Sequence, residues 1–164
     1  WVLDCCLEVV LDVILHLVNG FRVDLLVVDQ PRDVLQLLNV PSVARQQGLL
    51  LVDIASLAAR QGIPTEGHYA ATKATVVTQT KVFAQEIGNE GITVNAICPG
   101  IILTEMAMNK LGTQKEVEKW AEATSLKRLG NPSDVAGAAV FFASDLASYV
   151  TGQSLNVCGG LYFH

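Results

Sequence analysis

Two apolar runs, Leu49 to Ala55 and Ile92 to Cys98, flank a loop holding Gly62 and Pro64 and one long helical stretch from about His68 to Gly88. Runs so rich in aliphatic residues, with little polar alternation, suit strands covered on both faces. The helix between them is long enough to cross over, and strands joined this way lie parallel with a right-handed connection. An α/β fold around a parallel sheet is therefore expected. Pro99-Gly100 ends the second run, and residues 101 to 130 then mix apolar and charged positions in the manner of two short helices. Asn131-Pro132 opens another helix, with Asn131 as cap, Pro132 in the first turn where a missing N–H costs nothing, and Val135 to Phe142 as apolar body. A final strand bounded by glycines follows from Gly152 to Gly160.

The front of the chain is less regular. Asp4, Glu8, Asp12 and His16 fall four apart and make one polar stripe on an otherwise apolar helix, either a solvated face or a metal site, with the solvated face favoured. The same charges rule out a membrane span, because each would be costly in hydrocarbon. Asn19-Gly20 stops that helix, Arg22 to Val28 suits a short buried strand, and a helical pattern from Pro31 is interrupted at Pro41. The opening Trp1-Val2-Leu3 has neither an initiator Met nor a basic stretch, so it suits neither a signal peptide nor an ordinary translation start.

With 164 residues, 51% of them hydrophobic, the chain supports one core, and residues 1–164 are expected to form a single α/β domain. A net charge of −5 and the lack of any Lys/Arg run argue against nucleic acid and anionic membranes as partners. A small molecule or a second copy of the chain is expected instead. Cys5, Cys6, Cys98 and Cys158 show no metal-ligand spacing and suit reduced, buried thiols, so no metal and a cytoplasmic location are expected.

The residues that carry chemistry are Ser56 at a strand end, Tyr69 thirteen residues later at a helix start, and Lys73 one turn further on. The i, i+4 spacing puts Tyr69 and Lys73 on one helix face, about 5 to 6 Å apart at Cβ. A phenol has an ordinary pKa of about 10, and an ammonium about 5 Å away at an effective dielectric near 20 favours the phenolate by roughly 3 kcal/mol. Tyr69 thus becomes a proton donor and acceptor near neutrality, suited to carbonyl reduction or alcohol oxidation. Ser56 can hydrogen-bond the substrate oxygen as charge develops on it. At the end of the next strand, the Pro99-Gly100 turn lets backbone approach a flat ring, and Thr104 can hydrogen-bond a carboxamide.

Val52-Asp53-Ile54-Ala55-Ser56, Tyr69-Ala70-Ala71-Thr72-Lys73, Gly91-Ile92-Thr93-Val94-Asn95 and Pro99-Gly100 with Thr104 together resemble the short-chain dehydrogenase/reductase family. Arg128 to Ala136, Ala143-Ser144-Asp145 and Tyr149 to Gln153 extend the resemblance to roughly residues 48 to 160. It implies a Rossmann-like doubly wound parallel sheet, truncated or incomplete on its N-terminal side, with 1–48 a degenerate front segment and 49–164 the catalytic and C-terminal part. It implies an NAD- or NADP-dependent oxidoreductase moving a hydride between nicotinamide and a secondary alcohol or ketone. In that scheme Tyr69 is the acid/base and meets the cofactor together with Lys73, which holds the nicotinamide ribose; Ser56 positions the substrate oxygen, and Pro99, Gly100, Ile102 and Thr104 face the nicotinamide. Asn39 matches the region of the family's catalytic asparagine; its other reading is a polar residue ending a helix before Pro41.

Departures from the pattern keep a second reading open. The family's T-G-x-x-x-G-x-G loop needs glycines that the first fifty residues, with only Gly20 and Gly48, do not supply. Val28-Asp29-Gln30 stands where N-N-A-G is usual, and Asp53 and Cys158 stand where Asn and Asp are usual. A non-catalytic relative that keeps only assembly surfaces fits those departures. His68 is expected on the surface, and Met106, Met108 and Trp120 suit either a substrate lid or simple packing. Apolar Ala74, Val77, Val82 and Phe83 on the long helix exceed what one sheet face covers, so a homodimer or homotetramer is expected.

Overall fold

Alternate residues of the central strands point to opposite helical layers, which is the expected doubly wound arrangement. The computed structural model describes residues 50–163. The amino-terminal helix with its acidic stripe, the strand expected at 22–28, and Asn39 lie outside the described residues. Within them the order is β1 (Leu50–Ile54), α1 (Ala58–Gln61), α2 (Gly67–Ile87), β2 (Thr93–Pro99), α3 (Glu105–Leu111), α4 (Gln114–Ala123), α5 (Pro132–Phe142) and β3 (Ser154–Val157). The three strands form one parallel sheet in the order β1-β2-β3. Val52 pairs with Asn95, and Cys98 with Asn156.

On one face Val52, Ile54 and Ile97 pack with Ile102 and with Val135, Ala139 and Phe142 of α5. On the other, Ala55 and Cys98 pack with Val76 and Val77 of α2. Strands covered on both sides need the near-continuous aliphatic runs that the sequence shows. Among the described residues no helix is long and apolar enough to cross a membrane.

Two local devices aim α5 and tie down β3. Asp134 at the third position of α5 accepts from the Asn131 N–H at 2.7 Å, and the Arg128 guanidinium grips the same carboxylate with bonds of 2.7 and 2.8 Å. The Arg128 fork, with the Asn131 amide, holds the Asp134 carboxyl at about 2, well below the usual range. Asn95, buried in β2, donates to the Val150 carbonyl at 2.8 Å and accepts from the Gln153 N–H at 3.1 Å, while Thr151 Oγ1 accepts from the Val94 N–H at 3.0 Å. Asn95 and the Tyr149 to Gln153 segment therefore serve sheet assembly. The short α1 falls in a stretch whose sequence suggests a loop.

Candidate active site

The ends of β1 and β2 bring Ser56, Lys73 and the Pro99-Gly100 turn to one edge of the sheet, the edge where parallel sheets present their ligand sites. Ser56 follows β1 directly. It is held by the continuing ladder, with Ala55 N–H donating to the Ile97 carbonyl at 2.8 Å and Leu57 N–H to the Pro99 carbonyl at 2.9 Å. Pro99 has no N–H to offer, and the ladder asks there only for its carbonyl. The Ser56 Oγ accepts from the Ala58 N–H at 3.2 Å, which leaves the hydroxyl hydrogen to donate outward.

Lys73 is 1% exposed, and its Nζ donates to the Ile54 carbonyl at 3.1 Å, two residues before Ser56. Burying an ammonium is costly without such partners, so Lys73 is anchored rather than solvated. Tyr69 lies one turn earlier on α2 and is half-buried. Thr104 caps α3, its Oγ1 accepting from the Ala107 N–H at 3.2 Å and keeping a hydroxyl hydrogen to donate.

Gly100 has a structural reason of its own: a Cβ there would lie 2.8 Å from Cβ of Cys158 and 2.9 Å from its Cα. The close approach that the glycine permits in the described fold is thus to the chain beyond β3. Ile102 is buried in the α5 core and bridges Gly130. His68 is exposed, as expected, and so are Met108 and Trp120. The buried stripe of α2 runs Lys73, Val76, Val77, Thr80 and Ala84. Val77 therefore belongs to this chain's own core and not to a free apolar face, whereas Val82 is exposed.

Three polar residues, Asp53, Thr80 and Arg60, have no role assigned from sequence. Asp53 is buried under α2, where Thr80 Oγ1 donates to its Oδ2 at 2.6 Å. Burial raises its carboxyl to about 6, against the opposing pull of the Thr80 hydroxyl. Arg60 extends from α1 to the Ser154 carbonyl of β3. Thr80 carries a signal in its spacing, seven residues or two turns from Lys73. Arg60 carries none.

A family model described as Enoyl-(Acyl carrier protein) reductase matches residues 36–162. The chain is 39% identical over 122 residues to the 3-oxoacyl-[acyl-carrier-protein] reductase FabG of Staphylococcus epidermidis, covering 74% of this chain and 49% of that protein. It is 42% identical over 120 residues to an L-rhamnose 1-dehydrogenase (NAD(P)(+)) of Sphingomonas sp., covering 73% and 47%. A solved short-chain dehydrogenase/reductase from Brucella melitensis superposes with a TM-score of 0.72 at 34% identity, covering 82% of this chain and 54% of that one. A 3-oxoacyl-[acyl-carrier protein] reductase from the same organism superposes with a TM-score of 0.71 at 32% identity, covering 81% and 49%. The chain spans about half the length of the curated relatives it matches.

Proposed function

This chain belongs to the short-chain dehydrogenase/reductase family, and from that premise we propose that it takes part in NAD(P)-dependent hydride transfer between nicotinamide and a secondary alcohol or carbonyl compound. The observation that carries this reading is the buried Lys73 ammonium on the Ile54 carbonyl, one turn from Tyr69 and two residues from Ser56.

The residues fit the nicotinamide end of such a cofactor. Lys73, held by the Ile54 carbonyl, is the cation that ribose hydroxyls would meet. The Thr104 hydroxyl can donate to a carboxamide, and the backbone at Pro99, Gly100 and Ile102 offers a wall for the ring. The T-G-x-x-x-G-x-G spacing that would hold the pyrophosphate end is not found in the sequence. When bound, the nicotinamide supplies or takes the hydride. In the reducing direction Tyr69 gives its hydroxyl proton to the oxygen that becomes the alcohol, and in the oxidising direction it takes that proton back. Lys73 favours the phenolate left behind. Ser56, its lone pair held by the Ala58 amide, donates to the substrate oxygen as charge develops there. Asn39 stays a candidate for the family's catalytic asparagine.

Calorimetric titration with NADH and NADPH tests this reading, followed by turnover on a panel of secondary alcohols and ketones read by nicotinamide absorbance. 3-Oxoacyl thioesters and aldoses belong in the panel because they are the chemistry named for the relatives. Dinucleotide binding with turnover on at least one panel member is the expected result. Absence of both would favour the second reading, an assembly or binding module, which the missing glycine loop supports. The assembly we propose is a homodimer or homotetramer using the outer side of α2, where Val82 is exposed and Phe83 half-buried. Sedimentation at micromolar concentration should show a species above the monomer mass, and a purely monomeric profile would remove the proposal.

A further inference from the structure

Arg60 leaves the turn that follows Ser56 and crosses the sheet. Its Nη2 donates to the Ser154 carbonyl on β3 at 2.5 Å, and β2 lies between the two attachment points. The guanidinium passes beside the Cys98 thiol of β2. Burial pushes that thiol up, while Arg60 and the Ser56 backbone pull it the other way.

The turn needs such an anchor. α1 has four residues and no side-chain hydrogen bond at its amino-terminal cap, and a single helical turn has little stability of its own. Yet the first amide of α1, the Ala58 N–H, holds the Ser56 Oγ at 3.2 Å. Anything that lets α1 swing also releases the Ser56 hydroxyl. The Arg60 Nε and the Ser154 Oγ are buried without hydrogen-bond partners among the described residues, and such groups cost free energy.

We propose that Arg60 is a positioning residue for the hydride-transfer reaction: by clamping α1 to β3 it sets the Ala58 amide and thereby aims the Ser56 hydroxyl at the substrate oxygen. This rests on the dehydrogenase reading above. Arg60→Met keeps most of the side-chain length and removes the donors. It should leave the melting temperature nearly unchanged and lower kcat about tenfold with little change in KM, since misplacement of a group acting on the transition state is read mainly in kcat. Arg60→Lys, which can still donate to Ser154, should recover part of the loss. Amide exchange at Ala58 to Gln61 should quicken about tenfold in Arg60→Met, as expected for a local opening. Wild-type kcat and wild-type exchange in Arg60→Met would overturn the proposal, as would a kcat loss that merely tracks lost folded protein and is not recovered by Lys. If the unsubstituted chain transfers no hydride, the dehydrogenase reading fails and the catalytic part of the proposal with it. Exchange at Ala58 to Gln61 then decides the clamp, and unchanged exchange overturns that too.

Discussion

Tyr69→Phe should lower kcat by about a hundredfold to ten-thousandfold in a preparation that shows dehydrogenase turnover, with far-ultraviolet circular dichroism and melting temperature unchanged. Phenylalanine keeps the ring that is half-buried at the start of α2 and removes only the hydroxyl. The proton acceptor is then lost while the Lys73 anchor on Ile54 stays. Because the loss falls on proton transfer and not on cofactor docking, NAD(P)H affinity should change little, and the effect should appear in kcat and in kcat/KM alike. Lys73→Ala is a less clean probe, since removing a side chain that is 1% exposed leaves a cavity and an unpaired carbonyl as well as deleting the cation. Retention of turnover within a few-fold of the parent, read by nicotinamide absorbance, would show that Tyr69 is not the acid/base.

What could be read from sequence follows from how strongly each element announces itself. β1, α2 and β2 were legible because strands buried on both faces need unbroken aliphatic runs, and a helix of 21 residues shows several full periods. α1 was not, because four residues span about one turn and show no period. Val77, which the sequence suggests for a free apolar face of α2, lies on its buried stripe. Lys73 and Thr80 look like surface residues by type, yet they lie on the buried stripe, so a reading by hydropathy placed the free face through Val77. The Pro99-Gly100 turn suggests a close approach of backbone to a flat ring, whereas the contact that a Cβ at Gly100 would meet is Cys158, just past β3 and more than fifty residues away. Arg60 is harder still, since its partner Ser154 is distant in sequence and nothing local predicts a guanidinium crossing the sheet. The candidate residues Ser56, Tyr69 and Lys73 stand out in sequence for the opposite reason: Tyr69 and Lys73 are related by one helical turn, and Ser56 follows a strand.

Asp53→Asn should stabilise the fold above neutral pH by about 2 to 3 kcal/mol and give almost no gain near pH 4. The carboxyl is 3% exposed beneath α2, with Thr80 Oγ1 donating to it at 2.6 Å. Burial raises it from 3.8 to about 6, and the Thr80 hydroxyl offsets only part of that. The folded state therefore holds the proton more tightly than the unfolded chain does. The stability tied to this group is fully present below pH 3.8, is lost as pH rises through about 6, and stays lost above that. Moving a carboxyl from 3.8 to about 6 corresponds to about 3 kcal/mol. Asparagine does not titrate, and its amide oxygen can still accept from Thr80, so the variant should lack this loss. Its two amide hydrogens need new partners in a buried place, which trims the gain. Urea unfolding at pH 4.5 and pH 7.5 separates the possibilities. The expected pattern is near-equal stability at the lower pH and a midpoint shifted upward in Asp53→Asn at the higher. Equal midpoints at pH 7.5 would mean that the Asp53 carboxylate is not penalised by its burial, and that the Thr80 contact, with whatever else reaches the carboxylate, fully compensates for the water it gives up.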